Sequence, residues 1–303
     1  MSITTLVRRP CTRALPALLA ALVAIALNSS VSAQDAQSKT PEPEDIALET
    51  KDKVALKATF YPSTLGKEAI PVIMLHMYKG SRVDYHDLAL ALQAEGHAVL
   101  VPDLRGHGES TRYTDGDEKI TVDRMNRAAF AAMVAGDVEA CKTFLRDQNN
   151  EEQLNIDKLC LVGAEMGAIV ALNWAALDWA WPPLPRGKQG QDVKALVLLS
   201  PAWTIKGFSV NPAMASPAVQ SDKISIYILT DKKAADAKRL EKTLAKTRAN
   251  SEEKSLIMVP LETSLAGTKM LEVPELEVAK RISKFIELKV VKKTIPWKDR
   301  SLR

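Results

Sequence analysis

The sequence predicts an α/β domain with a mostly parallel central sheet, an antiparallel strand pair at its N-terminal side and helices on both faces. Three observations predict it. Six near-continuous apolar runs recur between residues 71 and 259, and such runs suit strands covered on both faces. Helical patterns separate them, which is the alternation of a sheet wound on both sides. Ahead of them, residues 45–62 alternate loosely between apolar and polar, the period of a strand pair with one solvated face.

In chain order, Arg8, Arg9 and Arg13 precede an apolar run from Ala14 to Leu27 and the small-residue end Val31-Ser32-Ala33. That is the pattern of a secretory signal peptide over 1–33, with cleavage expected after Ala33 and a secreted or periplasmic destination. The apolar run is short of the roughly 20 residues of a membrane span, so no stable membrane insertion is expected after cleavage. Residues 34–44, with Pro41 and Pro43, read as a flexible leader. Most of the formal net charge of +4 comes from the three arginines of 1–33, which hold no acidic residue. Nothing in the remaining balance calls for nucleic acid. Residues 45–290 are expected to form one domain, followed by a basic, solvated tail over 291–303. Cys141 and Cys160 could be bridged in an exported protein, although Cys160 sits in a strand pattern where a thiol serves as a small apolar group.

The strands are expected at Pro71–His76, His97–Pro102, Lys158–Val162, Val193–Leu199, Ile224–Leu229 and Ser255–Val259. The helices are expected at Asp84–Glu95, Val122–Arg146, Met166–Leu177, Ala234–Arg248 and Pro274–Leu288, the last opened by Pro274 with Glu275 and Glu277. Between the third strand and the third helix stands Gly163-Ala164-Glu165-Met166-Gly167. Its small residues permit a sharp strand-to-helix turn with close packing behind it, as the nucleophile elbow Gly-x-Ser-x-Gly requires. Position 165, where that motif carries its hydroxyl, is a glutamate.

Leu75-His76-Met77 with Gly80-Ser81, then Val101-Pro102-Asp103-Leu104-Arg105-Gly106-His107-Gly108-Glu109-Ser110, the elbow, Leu198-Leu199-Ser200-Pro201 and Ala266-Gly267-Thr268-Lys269-Met270-Leu271 follow in order. Together they make residues 45–290 resemble the α/β-hydrolase superfamily, near its dienelactone-hydrolase-like and serine-esterase or peptidase branches. The resemblance implies an oxyanion hole from the backbone amides of Met77 and Met166. It puts the nucleophile at Glu165, the orienting acid near Lys233, with Asp231 and Asp236 as imperfect substitutes, and the histidine at Ala266. All three triad positions therefore lack their usual residue, and the four histidines, His76, His86, His97 and His107, precede the elbow. Serine, base and acid act as a unit, so the resemblance implies a fold that has lost acyl transfer and serves as a binding or scaffold module.

The rival reading keeps chemistry at Glu165 as nucleophile or base, assisted by Asp103, Asp231 or His76, acting on an ester or related small molecule. Relatives with an aspartate at the elbow form an alkyl-enzyme ester, but cleave it with water activated by a histidine where this chain has Ala266. His76 and Asp231 are expected to line the pocket. No metal or cofactor is expected, since no cluster has ligand spacing. Trp174, Trp179 and Trp181, with Pro182, Pro183 and Pro185, read as a packing plug or a partner surface on the face opposite the site.

Overall fold

A computed structural model describes residues 40–185, 187–248 and 254–301. The expected signal peptide and most of the expected leader lie outside the described residues. Among the described residues the central sheet has nine strands. β1 (Glu44–Glu49) and β2 (Val54–Tyr61) pair antiparallel, and β2 joins the rest of the sheet antiparallel to β4 (Ala98–Pro102). From there β4, β3 (Pro71–Leu75), β6 (Leu159–Ala164), β7 (Val193–Leu199), β10 (Ser225–Asp231) and β11 (Leu256–Leu261) run side by side and parallel. β5 (Arg112–Tyr113) adds a short antiparallel pairing to β2, and β8 (Thr204–Ile205) and β9 (Phe208–Ser209) form a separate ribbon.

The apolar runs become strands because both faces are covered. Ile73, Leu75, Leu161, Leu196, Leu198, Ile226 and Ile228 point into one core, and their neighbours Val72, Met74, Cys160, Val162, Val197, Leu199, Tyr227 and Leu229 point into the other. That is the two-residue alternation of a pleated strand read from both sides. The helix α1 (His86–Ala94) covers the second face. The first is covered by α2 (Arg127–Ala132), α3 (Glu139–Asn150), α4 (Met166–Ala180), the short α5 (Asn211–Met214) and α6 (Pro217–Gln220), and α7 (Ala235–Arg248). A final helix, α8 (Val278–Ile286), joins α1 on the second face.

Three local expectations are corrected. The long helix expected over 122–146 is interrupted: a 3₁₀ turn at Val122–Arg124 precedes α2, and a π-helical turn, Met133–Val138, separates α2 from α3. The helix expected from Pro274 begins at Val278, because Pro274–Leu276 form a 3₁₀ turn and Glu277 enters the left-handed region at φ 49°. The C-terminal tail, although mostly exposed over 291–301, is docked onto the domain. Asn155 and Asn149 donate to the carbonyls of Ile295 and Lys298, at 3.0 Å each, and the Arg300 side chain is buried. Cys141 and Cys160 are both buried free thiols. Among the described residues no helix is long and apolar enough to cross a membrane.

Candidate functional site

β3 is followed in sequence by β4 on one side, whereas β6 lies on its other side. Strand order reverses there, and ligands bind open α/β sheets beyond the carboxyl ends of strands at such a point. The β3 end carries His76-Met77 and the β6 end carries Glu165.

Glu165 has φ 44° and ψ −102°, a conformation that L side chains rarely adopt. The surroundings impose it. The Glu165 amide donates to Leu199 O at 3.0 Å, and its carbonyl accepts from Ala168 N at 3.2 Å as α4 begins. A Cβ on Gly163 would stand 2.4 Å from Gly167 O, and one on Gly167 would stand 2.0 Å from Leu75 O. Only glycine lets strand, turn and helix approach this closely. Met166 is the first residue of α4, so its amide is among those that no helix carbonyl can reach.

The Glu165 carboxyl is half-buried, and burial pushes its pKa above the ordinary carboxylate value, with the Lys269 charge pulling the other way. The loop after β11 comes back over the elbow. A Cβ on Gly267, itself at φ 59°, would lie 3.0 Å from Met77 Sδ and 3.4 Å from Glu165 Cγ. Met77, Glu165 and the Ala266-Gly267 turn are thus brought together. Lys233 stays exposed, its amide donating to Asp231 Oδ1 at 2.7 Å. Asp231, half-buried at the end of β10, spends that oxygen on the local turn, and Asp236 accepts the Trp203 amide at 2.9 Å.

His76 does not line a pocket. It is completely buried; its Nδ1–H donates to Met77 O at 2.8 Å, and its Nε2 accepts from the Leu104 amide at 3.0 Å. Those two bonds define a neutral tautomer, and burial, seconded by His107, lowers its pKa to about 4. His76 ties the turn after β3 to the loop after β4 and leaves no ring nitrogen for a ligand. That second loop is likewise structural. Asp103 accepts from the amides of Arg82 and Glu109 at 2.7 and 2.9 Å, and Arg105 binds Asp137 and Asp52. Gly108 sits at φ 49°, where a Cβ would strike the Asp103 carboxylate.

Sequence reasoning missed Lys269, the cation whose field reaches Glu165, although it stands three residues after Ala266 in the loop already singled out. Ser200, in the motif that follows β7, is held at φ 46° with its hydroxyl 3.8 Å from Met270 Sδ. Of the three tryptophans, Trp174 is fully buried and Trp179 donates to Val193 O at 2.9 Å, whereas Trp181 remains 40% exposed. Among the described residues no group of three or more His, Cys, Asp or Glu side chains converges as for a metal ion.

A model of the α/β-hydrolase fold family matches residues 70–269. An uncharacterised protein of Mycobacterium tuberculosis is 28% identical over 140 residues, which are 46% of this chain and 43% of that protein. The chain thus spans less than half the length of this curated relative. Among solved structures, an esterase of Pyrococcus furiosus superposes with a TM-score of 0.58 at 20% identity, over 82% of this chain and 93% of its own. A dienelactone hydrolase of Anabaena variabilis gives 0.58 at 17%, over 83% and 99%, and an esterase of Pyrobaculum calidifontis gives 0.57 at 15%, over 82% and 86%. Likeness at these identities speaks for the fold.

Proposed function

The chain belongs to the α/β-hydrolase fold family, and from that premise we propose that it is an exported member which binds a ligand or partner at its elbow without acyl transfer. One observation carries this reading: a glutamate occupies the strained turn between β6 and α4, and the Ala266-Gly267 turn, to which the resemblance assigns the histidine, comes close to its side chain without offering an imidazole. All four histidines precede the elbow in sequence, and His76 is fully engaged in joining two loops. Without a base, a hydroxyl elsewhere in the site remains a poor nucleophile.

The retained Met77 and Met166 amides favour a second reading, in which Glu165 itself attacks. A carboxylate nucleophile must be ionised, however, and burial pushes Glu165 toward its neutral form. The ester it formed would also lack an imidazole-activated water. Non-catalytic binding is therefore the better-supported function.

The test is an assay of the purified protein on short activated acyl esters. No hydrolysis above that of Glu165→Ala is expected, and turnover that disappears in Glu165→Ala would overturn the reading. Rebuilding the triad probes the same placement from the other side. Glu165→Ser with Ala266→His should raise esterase activity about 10²-fold over either single variant, the lower end of what a positioned general base contributes, and Lys233→Asp should add to it. Export belongs to the proposal as well. It is supported by the arginines, apolar run and Val31-Ser32-Ala33 of the N-terminal segment, and N-terminal sequencing of the released form should begin at Gln34 rather than Met1.

A further inference from the structure

The far edge of the sheet carries a second site, remote in sequence from the elbow. β11 is the last strand, and its Ile257 is the register partner of Tyr227 on β10. Phe285 of α8 stacks on the Tyr227 ring with centroids 5.0 Å apart and planes 19° from parallel. After α8 the chain passes into a π-helical turn, Glu287–Val291, on which Leu288 is 43% exposed. Between α8 and the strand edge opens a cavity of about 310 Å³ whose apolar lining is Tyr227, Ile257, Phe285 and Leu288. Its remaining lining is mostly cationic: Lys280, Arg281, Lys284 and Lys289 line it with the carboxylate of Glu277, while Lys284 also pairs with Glu287 just outside it at 2.7 Å, which leaves an excess of positive charge at the rim. Glu277 pairs with Lys280 at 2.8 Å, and Arg281 spends its Nε–H on Leu276 O at 3.0 Å, one of five donors on its guanidinium.

An apolar floor under a cationic rim selects a molecule with an alkyl chain and one anionic head. The volume lies at the lower end of the roughly 300–1,000 Å³ of small-molecule sites. A groove of that size suits a single medium-length chain. We propose that this groove binds one free fatty carboxylate of medium length, its chain on Tyr227, Ile257, Phe285 and Leu288 and its carboxylate on the Lys280, Arg281 and Lys284 rim. The lining includes no elbow residue, so the assignment stands independently of the function proposed above.

Calorimetric titration of the full-length protein with octanoate, octanol and octyltrimethylammonium tests it. Octanoate should bind saturably at one site, octanol about tenfold more weakly and the cation not at all, a tenfold ratio being what about 1.4 kcal/mol of head-group recognition supplies. Lys280→Gln with Lys284→Gln, both on exposed side chains, should lower octanoate affinity by about the same factor and leave octanol unchanged. Leu288→Asn, at a position 43% exposed, should weaken both ligands. The proposal is overturned by absence of saturable octanoate binding up to millimolar concentration, by equal affinity for all three ligands, or by undiminished octanoate binding in Leu288→Asn. Loss of octanoate binding in Glu165→Ala would move the site to the elbow. Binding to phosphatidylglycerol vesicles without binding to octanoate would make the groove a membrane-contact surface instead.

Discussion

Glu165 sits in a conformation that costs of order 1–3 kcal/mol for a non-glycine residue, and its carboxyl is half-buried as well. Both penalties are set by neighbours: the Leu199 carbonyl that fixes its amide and the Gly267 turn that covers its side chain. The titration has a definite sign. Because the folded-state pKa lies above the usual 4.5, folding favours the protonated form. The resulting stability is complete below the unfolded value and is lost as pH rises through the folded value. Glu165→Gln, neutral at every pH, should therefore raise the urea midpoint at pH 7, and the gain should vanish below about pH 4, where an ordinary glutamate is itself protonated. A gain that is the same at both pH values would show that the carboxyl is not held toward neutrality. His76 has the opposite sign: its folded pKa of about 4 lies below the ordinary 6.5, so the stability it lends is present at neutral pH and is lost as pH falls from 6.5 toward 4.

At the scale of the element, the elbow and α4 form one unit held by close backbone contact. A methyl at Gly167 would meet Leu75 O, His76 O and the backbone between them, none of which is a flexible side-chain tip. Gly167→Ala should cost about 3 kcal/mol, at the upper end of overpacking penalties, read as a lowered urea midpoint at unchanged slope. A loss under about 0.5 kcal/mol, the usual scatter of surface substitutions, would mean the strand and helix can separate at little cost. The interruption of 127–150 belongs to this scale too. Its π-helical turn contains Asp137, fully buried, whose carboxylate receives the Arg105 amide at 2.8 Å and the Arg105 side chain at 2.7 Å. A local widening of the helix thus coincides with the place where the loop after β4 is anchored, and no periodicity of apolar residues signals it.

Across the whole molecule, the C-terminal segment closes a buried ion cluster built from distant parts of the chain. Arg300 donates to Asp157 at 2.7 Å and to Asp192 at 2.8 Å, Lys142 pairs with Asp178 and Asp192, and Lys188 with Asp157 and Asp192. Asp192 is completely buried; against that desolvation, Lys142, Arg300 and Lys188 hold its pKa far below the ordinary carboxylate value. Trp297 adds a hydrogen bond to Asn149 O at 3.2 Å, and Lys67 lies over its ring. Breaking a buried ion cluster by removing one partner costs roughly 3–5 kcal/mol. Arg300→Ala should therefore lower unfolding free energy by about 3 kcal/mol, since two lysines still face the carboxylates, and truncation after Lys293 should cost more. Unchanged stability in the truncated chain would show that the tail does not hold the cluster together.

The sequence by itself determined the strands, their mostly parallel arrangement and the tight turn after β6, because burial on both faces writes continuous apolar runs and a tight strand-to-helix turn demands Gly163 and Gly167. It also displayed Glu165 and the Ala266-Gly267 turn, which stand at readable places in a recurring series of motifs, whereas Lys233, expected beside them, stays exposed in its own turn. Tertiary structure decided what those residues touch. The Ala266-Gly267 turn comes close to Met77 and Glu165 only because the loop after the edge strand β11 runs back over the ends of β3 and β6, and the field of Lys269 reaches Glu165 for the same reason. His76 looked like a pocket residue from its place after β3, yet its two ring bonds depend on a loop 28 residues later in the chain. That the basic tail is docked was not legible because local composition carries no sign of Asp157 and Asp192, which meet Arg300 at sequence separations of 143 and 108. Hydrophobic periodicity is local and survives in the sequence; charge pairing across the fold is not, and it appears only once the chain has closed on itself.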